Sequence, residues 1–201
     1  LSGVCDNAVV VGVDTQNRFI TSGFASFKSL SDDVCRPYDA SRCGLNLGEA
    51  CGAILLTRNR LSGNDVAISG GAITDDANHI SGPSRTGDGL YFAMRRAMDE
   101  AGVLPQQLDM LQMHGTATAY NDEMESKAAS LAGLQDVPAQ SLKPYFGHTM
   151  GASGVIETII AAEELKRGVC AGTAGFSELG VPMPLNVSAA NRELGENAVR
   201  H

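Results

Sequence analysis

No apolar run in this sequence approaches the ~18 residues that a membrane-spanning helix requires. Its first residues lack a basic start and a long apolar stretch, so no secretory leader is expected in them. Positive charge is scarce. The chain has 15 Lys and Arg against 23 Asp and Glu, a net charge of −8. Phosphate backbones bind basic surfaces, so this balance argues against a nucleic-acid partner. The five cysteines are Cys5, Cys35, Cys43, Cys51 and Cys170. No pair has metal-ligand spacing, and an odd number closes no disulfide framework. No metal site is expected, and reduced thiols in the cytoplasm are the plain expectation. Low-complexity linkers and short-period repeats are also absent. What is present is ordinary for a soluble α/β protein: 201 residues, 43% hydrophobic and 19% charged, enough to bury a core.

Residues 8–13 and 52–57 are continuous apolar runs. They read as strands covered on both faces, as in a parallel or mixed sheet. Residues 65–74 read as a strand whose glycine pair marks a bulge or a close backbone approach. Within 88–101, Leu90, Met94, Ala97, Met98 and Ala101 recur with a helical period, and Gly102 stops it. Pro105 opens a short turn, and a strand over 108–113 delivers His114. A helix over 122–132 follows, then a strand over 139–142 that delivers Lys143. The helix predicted over 151–167 carries Lys166 and Arg167 where cations complement its dipole. Strands alternating with helices argue a layered α/β fold.

The chain has only four histidines, and two sit beside glycine. These are in His114-Gly115-Thr116-Ala117-Thr118 and in Ser141-Leu142-Lys143-Pro144-Tyr145-Phe146-Gly147-His148. Imidazole trades or donates protons near neutral pH, and glycine lets a backbone or substrate come close. With Lys143 beside the second motif, these are the parts of an oxyanion-stabilising site. A buried lysine without an acid would deprotonate, so a carboxylate must be near it. Asp122 and Glu125 lie three apart on one helix face. Thr116 and Thr118 alternate on an extended segment and point the same way. Bland readings stand beside these: core histidines, a solvated helix face, strand filler. His79 reads as part of an exposed loop and is given no role.

The motifs form an ordered set. Cys35-Arg36-Pro37-Tyr38-Asp39, Arg42-x-Gly44 and Gly48-Glu49-x-x-Gly52-Ala53 come first. His-Gly-Thr-x-Thr follows with Asp122 and Glu125, then Lys143 and Gly147-His148-x-x-Gly151-Ala152-Ser153-Gly154. This set resembles the β-ketoacyl-acyl carrier protein synthases, condensing enzymes of the thiolase superfamily. The resemblance implies a thiolase-like layered α-β-α-β-α fold, here incomplete. Residues 1–60 would end the N-terminal half. Residues 61–201 would make the C-terminal half, without its final Gly-rich loop and strands.

The resemblance also implies a reaction. An acyl thioester and malonyl-acyl carrier protein undergo decarboxylative Claisen condensation to 3-oxoacyl-acyl carrier protein, in fatty-acid or polyketide synthesis. It makes His114 and His148 the donors to the thioester carbonyl. It pairs Lys143 with Glu125, supported by Asp122, and it gives Thr116 and Thr118 hydrogen bonds to the pantetheine arm. That arm arrives on acyl carrier protein, so no resident cofactor is expected. The full-length protein is expected to be a homodimer or heterodimer. The dipole of the helix after His148 is expected to help keep that ring neutral.

In the family the nucleophilic cysteine lies upstream of the matching region, and none of the five cysteines here has its small-residue turn. The chain alone is therefore expected to be inactive, and its Leu1 start to mark a processed or excised piece. Two alternatives remain open. A chain-length-factor-like partner subunit has the fold without the nucleophile, but often loses one histidine. A thiolase-type acyl-CoA enzyme shares the Gly147 signature, but does not usually carry the His-Gly-Thr-x-Thr element. An acidic carrier would need a local basic patch on this acidic chain. Arg85, Arg95, Arg96, Lys166 and Arg167 are its candidates, and each reads equally as a solvated face.

Overall fold

The computed structural model describes residues 4–78 and 82–195. Strands β1 (Asn7–Asp14) and β2 (Ala50–Thr57) pair antiparallel along their whole length. Their valines, leucines and isoleucines suit a pleated surface. Helix α1 (Arg18–Ser26) follows β1, and its Asn17 cap accepts the Ile20 N–H at 3.0 Å. Helix α2 (Asp88–Ala101) ends at Gly102, whose φ of +69° is the left-handed cap its sequence announces.

A parallel sheet follows. It comprises β3 (Leu111–Gln112), β4 (Pro138–Gln140) and β6 (Asn186–Val187), in that spatial order. Helix α3 (Ala119–Leu131) connects β3 to β4. The short helix α4 (Lys143–Phe146) follows β4. A 3₁₀ turn at Met150–Ala152 then leads into α5 (Ser153–Arg167). Strands β5 (Val169–Cys170) and β7 (Arg192–Glu193) pair antiparallel.

Helix α5 lies between the layers. It packs on β1 and β2 on one side and on β5 on the other, and its Glu164 accepts a hydrogen bond from Gln140 of β4. Glycines in the strands make room for it. A Cβ at Gly12 would stand 3.0 Å from Ala152 Cα, and one at Gly52 would stand 2.9 Å from Ile156 Cδ1. Helices α2 and α3 pack against each other. The main core joins Met98 of α2 and Ala129 of α3 to Met113, Ala139, Val187 and Tyr38.

The structure corrects several expectations. Strand β1 is neither in a parallel sheet nor covered on both faces. Val9, Val11 and Val13 are 68%, 59% and 56% exposed. They alternate with Gly12, which faces α5, so they lie on the opposite face. Residues 65–74 form no strand. Two of their hydrogen bonds go to α2 instead: Gly71 N–H to Glu100 at 2.8 Å and Thr74 Oγ1 to the Gly89 carbonyl at 2.7 Å. The close approach expected at the glycine pair does occur, since a Cβ on Gly70 would overlap the Ala97 carbonyl. The strand expected over 139–142 is β4 and ends at Gln140, Lys143 then opens a helix, and α3 begins at Ala119. His79 and the last residues of the polar tail, 196–201, lie outside the described residues. Among the described residues no helix is long and apolar enough to cross a membrane. No cluster of three or more His, Cys, Asp or Glu there could hold a metal.

Candidate active site

The first histidine sits on a turn between β3 and α3 that two carboxylates hold by its backbone. The His114 and Gly115 N–H groups donate to Glu125 Oε1 and Oε2 at 2.9 and 2.8 Å, and Thr116 N–H donates to Asp122 Oδ1 at 3.1 Å. Both carboxylates are buried, which rejects the solvated-face reading. Glu125 Oε2 also accepts from Asn121 Nδ2 at 2.9 Å and from the Tyr38 hydroxyl at 2.8 Å. Asp122 also accepts the Tyr38 N–H at 2.7 Å. Burial raises the pKa of Glu125, though its donors and the charge of Lys143 pull the other way. Burial, with the charge of Glu125 adding, pushes Asp122 up to about 7 against the pull of the Tyr38 N–H. Gly115 is obligatory here. Its φ is +44°, and a Cβ would stand 2.5 Å from that of Ser141.

The second histidine follows α4. Its backbone is clamped by residues 46–48: His148 N–H donates to the Asn46 carbonyl at 2.7 Å, and Gly48 N–H donates to the His148 carbonyl at 3.1 Å. The main chains touch there, because a Cβ on Gly48 would overlap the Phe146 carbonyl. His148 Nδ1 accepts the Met150 N–H at 3.2 Å, with Ser153 Oγ 3.1 Å away. On a neutral ring that leaves the proton on Nε2. The ring is held neutral. Burial first, and then the charge of Lys143, lower its pKa to about 4. The helix dipole invoked from the sequence is not the leading cause.

The two imidazoles lie side by side, with ring centroids 5.0 Å apart and planes at 83°. The pKa of His114 is lowered too, by burial among protein atoms first and then by the charges of Lys143 and His148. Taken as a whole residue, His114 is exposed and His148 is half-buried.

Lys143 is buried behind the pair, and here the expected partner is wrong. Its Nζ meets Glu157 Oε1 at 2.6 Å, not Glu125. The Glu125 oxygens are occupied by four donors, and Lys143 reaches instead to α5. Glu157 lies one turn after Ser153, so both face the site from the same side of that helix. Sequence reasoning missed Glu157. The signal was its four-residue spacing from Ser153 in the Gly-His motif. It also missed the clamp from Asn46 and Gly48.

The Thr116 and Thr118 hydroxyls point the same way, as expected, with oxygens 2.8 Å apart. The segment is not a plain strand, because Ala117 between them has φ of +62°. Tyr38 (φ +64°) and Met150 (φ +47°) are left-handed as well. Three of the five such non-glycine residues described thus gather around the histidines, where strain marks a functional constraint.

None of the five cysteines is paired. Burial raises the thiol pKa of Cys35, and it pushes that of Cys170 up to about 11. Cys5, Cys43 and Cys51 are exposed. Of the basic candidates, Arg95 is 3.9 Å from Asp99, and Lys166 and Arg167 lie 2.8 and 3.9 Å from Glu163. These are exposed helix pairs, as the bland reading has it.

Two family profiles match this chain: Beta-ketoacyl synthase, N-terminal domain, over residues 1–62, and Beta-ketoacyl synthase, C-terminal domain, over residues 66–177. The chain belongs to the β-ketoacyl synthase family. This β-ketoacyl synthase chain is 32% identical over 209 residues to 3-oxoacyl-[acyl-carrier-protein] synthase 2 of Mycobacterium leprae, covering 96% of itself and 50% of that protein. It is 34% identical over 165 residues to 3-oxoacyl-[acyl-carrier-protein] synthase 2 of Staphylococcus aureus, covering 76% of itself and 41% of that protein. A ketosynthase from Xenorhabdus doucetiae, solved in complex with its chain length factor, superposes with a TM-score of 0.88 at 32% identity. It covers 96% of this chain and 48% of its own. A β-ketoacyl synthase from Burkholderia phymatum STM815 gives 0.87 at 26% identity, over 95% of this chain and 50% of that one. The β-ketoacyl synthase chain spans about half the length of the curated relatives it matches, and over that half it has the thiolase-like layered fold of the ketosynthases.

Proposed function

We propose that this chain supplies the histidine-bearing part of a 3-oxoacyl-acyl carrier protein synthase, an acyltransferase that condenses an acyl thioester with malonyl-acyl carrier protein. The observation that carries the reading is the pair of imidazoles 5.0 Å apart, one with its proton on Nε2. In the malonyl unit the bond from the α-carbon to the carboxylate breaks and carbon dioxide leaves. The electron pair passes into an enolate whose charge gathers on the thioester oxygen. Two N–H donors aimed at that oxygen stabilise it. The enolate carbon then attacks the acyl thioester carbonyl, and the tetrahedral oxyanion collapses with expulsion of the cysteine thiolate. Burial first, and then the charge of Lys143, held by Glu157, keep both rings unprotonated. The Thr116 and Thr118 hydroxyls take the pantetheine arm, which acyl carrier protein brings, so no resident cofactor is required.

The acyl group needs a thiolate. Burial disfavours one at Cys35 and at Cys170, and none of the five cysteines has the small-residue turn of the family's nucleophile, so on this reading the nucleophile comes from outside this chain. The names of the Mycobacterium leprae and Staphylococcus aureus relatives support the reaction. The Xenorhabdus doucetiae ketosynthase is solved with its chain length factor, which supports an assembly with a partner of the same kind; the homodimer rests on the family resemblance alone. Retention of both histidines favours the enzyme over a chain-length-factor-like partner. Five unpaired thiols favour a reducing compartment, the cytoplasm.

The test uses the protein that carries this chain together with its nucleophile. His114→Ala and His148→Ala each lower carbon dioxide release from malonyl-acyl carrier protein on the order of 10²–10³-fold, while self-acylation by the acyl donor continues. Release at the unsubstituted rate in either variant would refute the assignment.

A further inference from the structure

Tyr38 is fully buried, yet its backbone is left-handed, with φ of +64°. Bulky residues rarely adopt that conformation, and such outliers persist only where their surroundings hold them. Three main-chain and side-chain contacts hold this one. Its N–H donates to Asp122 Oδ2 at 2.7 Å, its hydroxyl donates to Glu125 Oε2 at 2.8 Å, and its carbonyl accepts the Gly180 N–H at 2.8 Å. The ring lies against the histidine turn, since a Cβ on Gly115 would stand 3.0 Å from Tyr38 Cε2. One residue thus grips both carboxylates that carry the N–H groups of His114, Gly115 and Thr116.

We propose that Tyr38 is a positioning residue for His114: its hydroxyl fixes the Glu125 carboxylate, which holds the turn that aims the imidazole at the substrate oxygen. The inference rests on the reading of His114 as a donor. Glu125 Oε2 takes Gly115 N–H, Asn121 and Tyr38, while Oε1 takes His114 N–H. The terminal torsion of a glutamate is soft. With the hydroxyl gone, that torsion is less restrained and the His114 N–H follows it.

The other charged or titratable groups around Glu125 are Asp122 on its own helix, Lys143 on α4 and Tyr38 itself. Arg42 lies beyond Asp122, its Nε 3.9 Å from Asp122 Oδ2. A donor to the charged carboxylate lowers its pKa, so deleting that donor raises it. Burial and the two carboxylates keep the phenol of Tyr38 protonated, and hence a donor.

Tyr38→Phe removes the hydroxyl alone and keeps the ring and the N–H to Asp122. In the acylated protein, kcat for malonyl decarboxylation falls about tenfold at unchanged KM. The acid limb of its pH profile moves to higher pH. In a Glu125→Ala background, which leaves the hydroxyl no acceptor at position 125, the same substitution has no further effect. An unchanged kcat, or an unmoved acid limb with only a lower melting temperature, overturns the proposal. 2,3-Difluorotyrosine at position 38 keeps the shape and donates more strongly. It moves the limb to lower pH, and this arm decides the matter if the phenylalanine variant does not fold; an unmoved limb refutes. His114→Ala separates the two readings. Intact decarboxylation there defeats the role of His114, whereas an inactive His114→Ala beside an unaffected Tyr38→Phe defeats Tyr38 alone.

Discussion

Lys143→Met removes one member of a buried ion pair and keeps most of its volume. The side chains of Lys143 and Glu157 are 1% and 12% exposed, and their 2.6 Å contact is a charge-assisted hydrogen bond. The substitution leaves Glu157 buried without its cation, which costs about 3–5 kcal/mol. With a urea slope of about 2–3 kcal/mol per molar, the unfolding midpoint falls by about 1.5 M. Adding Glu157→Gln removes the stranded charge and restores the protein to within about 1 kcal/mol of its starting stability. Adding Glu125→Gln restores nothing, because Glu125 is not the partner. The imidazoles follow a different rule. The charge of Lys143 lowers both of their pKa values, so both rise in the single variant and stay raised in the double. Stability returns and the proton affinities do not. Urea unfolding followed by circular dichroism, with ¹⁵N imidazole shifts against pH, measures both. A loss under about 1 kcal/mol would class the pair with exposed bridges and defeat the argument. Rescue by Glu125→Gln would defeat it too.

In ¹⁵N spectra His148 titrates at about 4 with its proton on Nε2; titration near its ordinary 6.5, or an Nδ1–H tautomer, would contradict the site's electrostatics. Because the folded pKa lies below the unfolded one, the unfolded chain takes the proton first. The stability difference between the protein and His148→Gln is therefore complete above about 6.5 and lost as pH falls towards about 4. Asp122, pushed up to about 7, acts in reverse: its contribution fades as pH rises from about 4 through 7, which Asp122→Asn abolishes. Gly115→Ala destabilises by about 3 kcal/mol, from a left-handed φ and an overlap with Ser141, measured by thermal unfolding. The 201-residue chain, purified alone, shows no 3-oxoacyl product from acyl- and malonyl-acyl carrier protein; turnover above blank would mean that one of its own thiols serves as nucleophile.

Helix α2 is legible in the sequence because its signals are local: an apolar period of 3.6 and a glycine at the stop. The same holds for Asp122 and Glu125 on one face of α3, and for the paired Thr116 and Thr118 hydroxyls. Helix α1 was not read, although Asn17 caps it. Residues 65–74 misled because an apolar, β-branched run fits a strand and an extended segment equally. Whether it joins a ladder depends on a neighbour, and here that neighbour is α2. The apolar run of β1 likewise says nothing of which face is covered.

The sequence by itself determined that two histidines stand in glycine-bearing turns, that a lysine precedes the second, and that two carboxylates share one helix face. Each is a matter of residue type and spacing along a single element. The tertiary structure alone decided that the two imidazoles meet at 5.0 Å, that Lys143 chooses Glu157 over Glu125, and that Tyr38 grips both carboxylates. These depend on distances between side chains from different elements. In a buried site such distances, and the donors already occupying each oxygen, select the partner; sequence spacing carries neither.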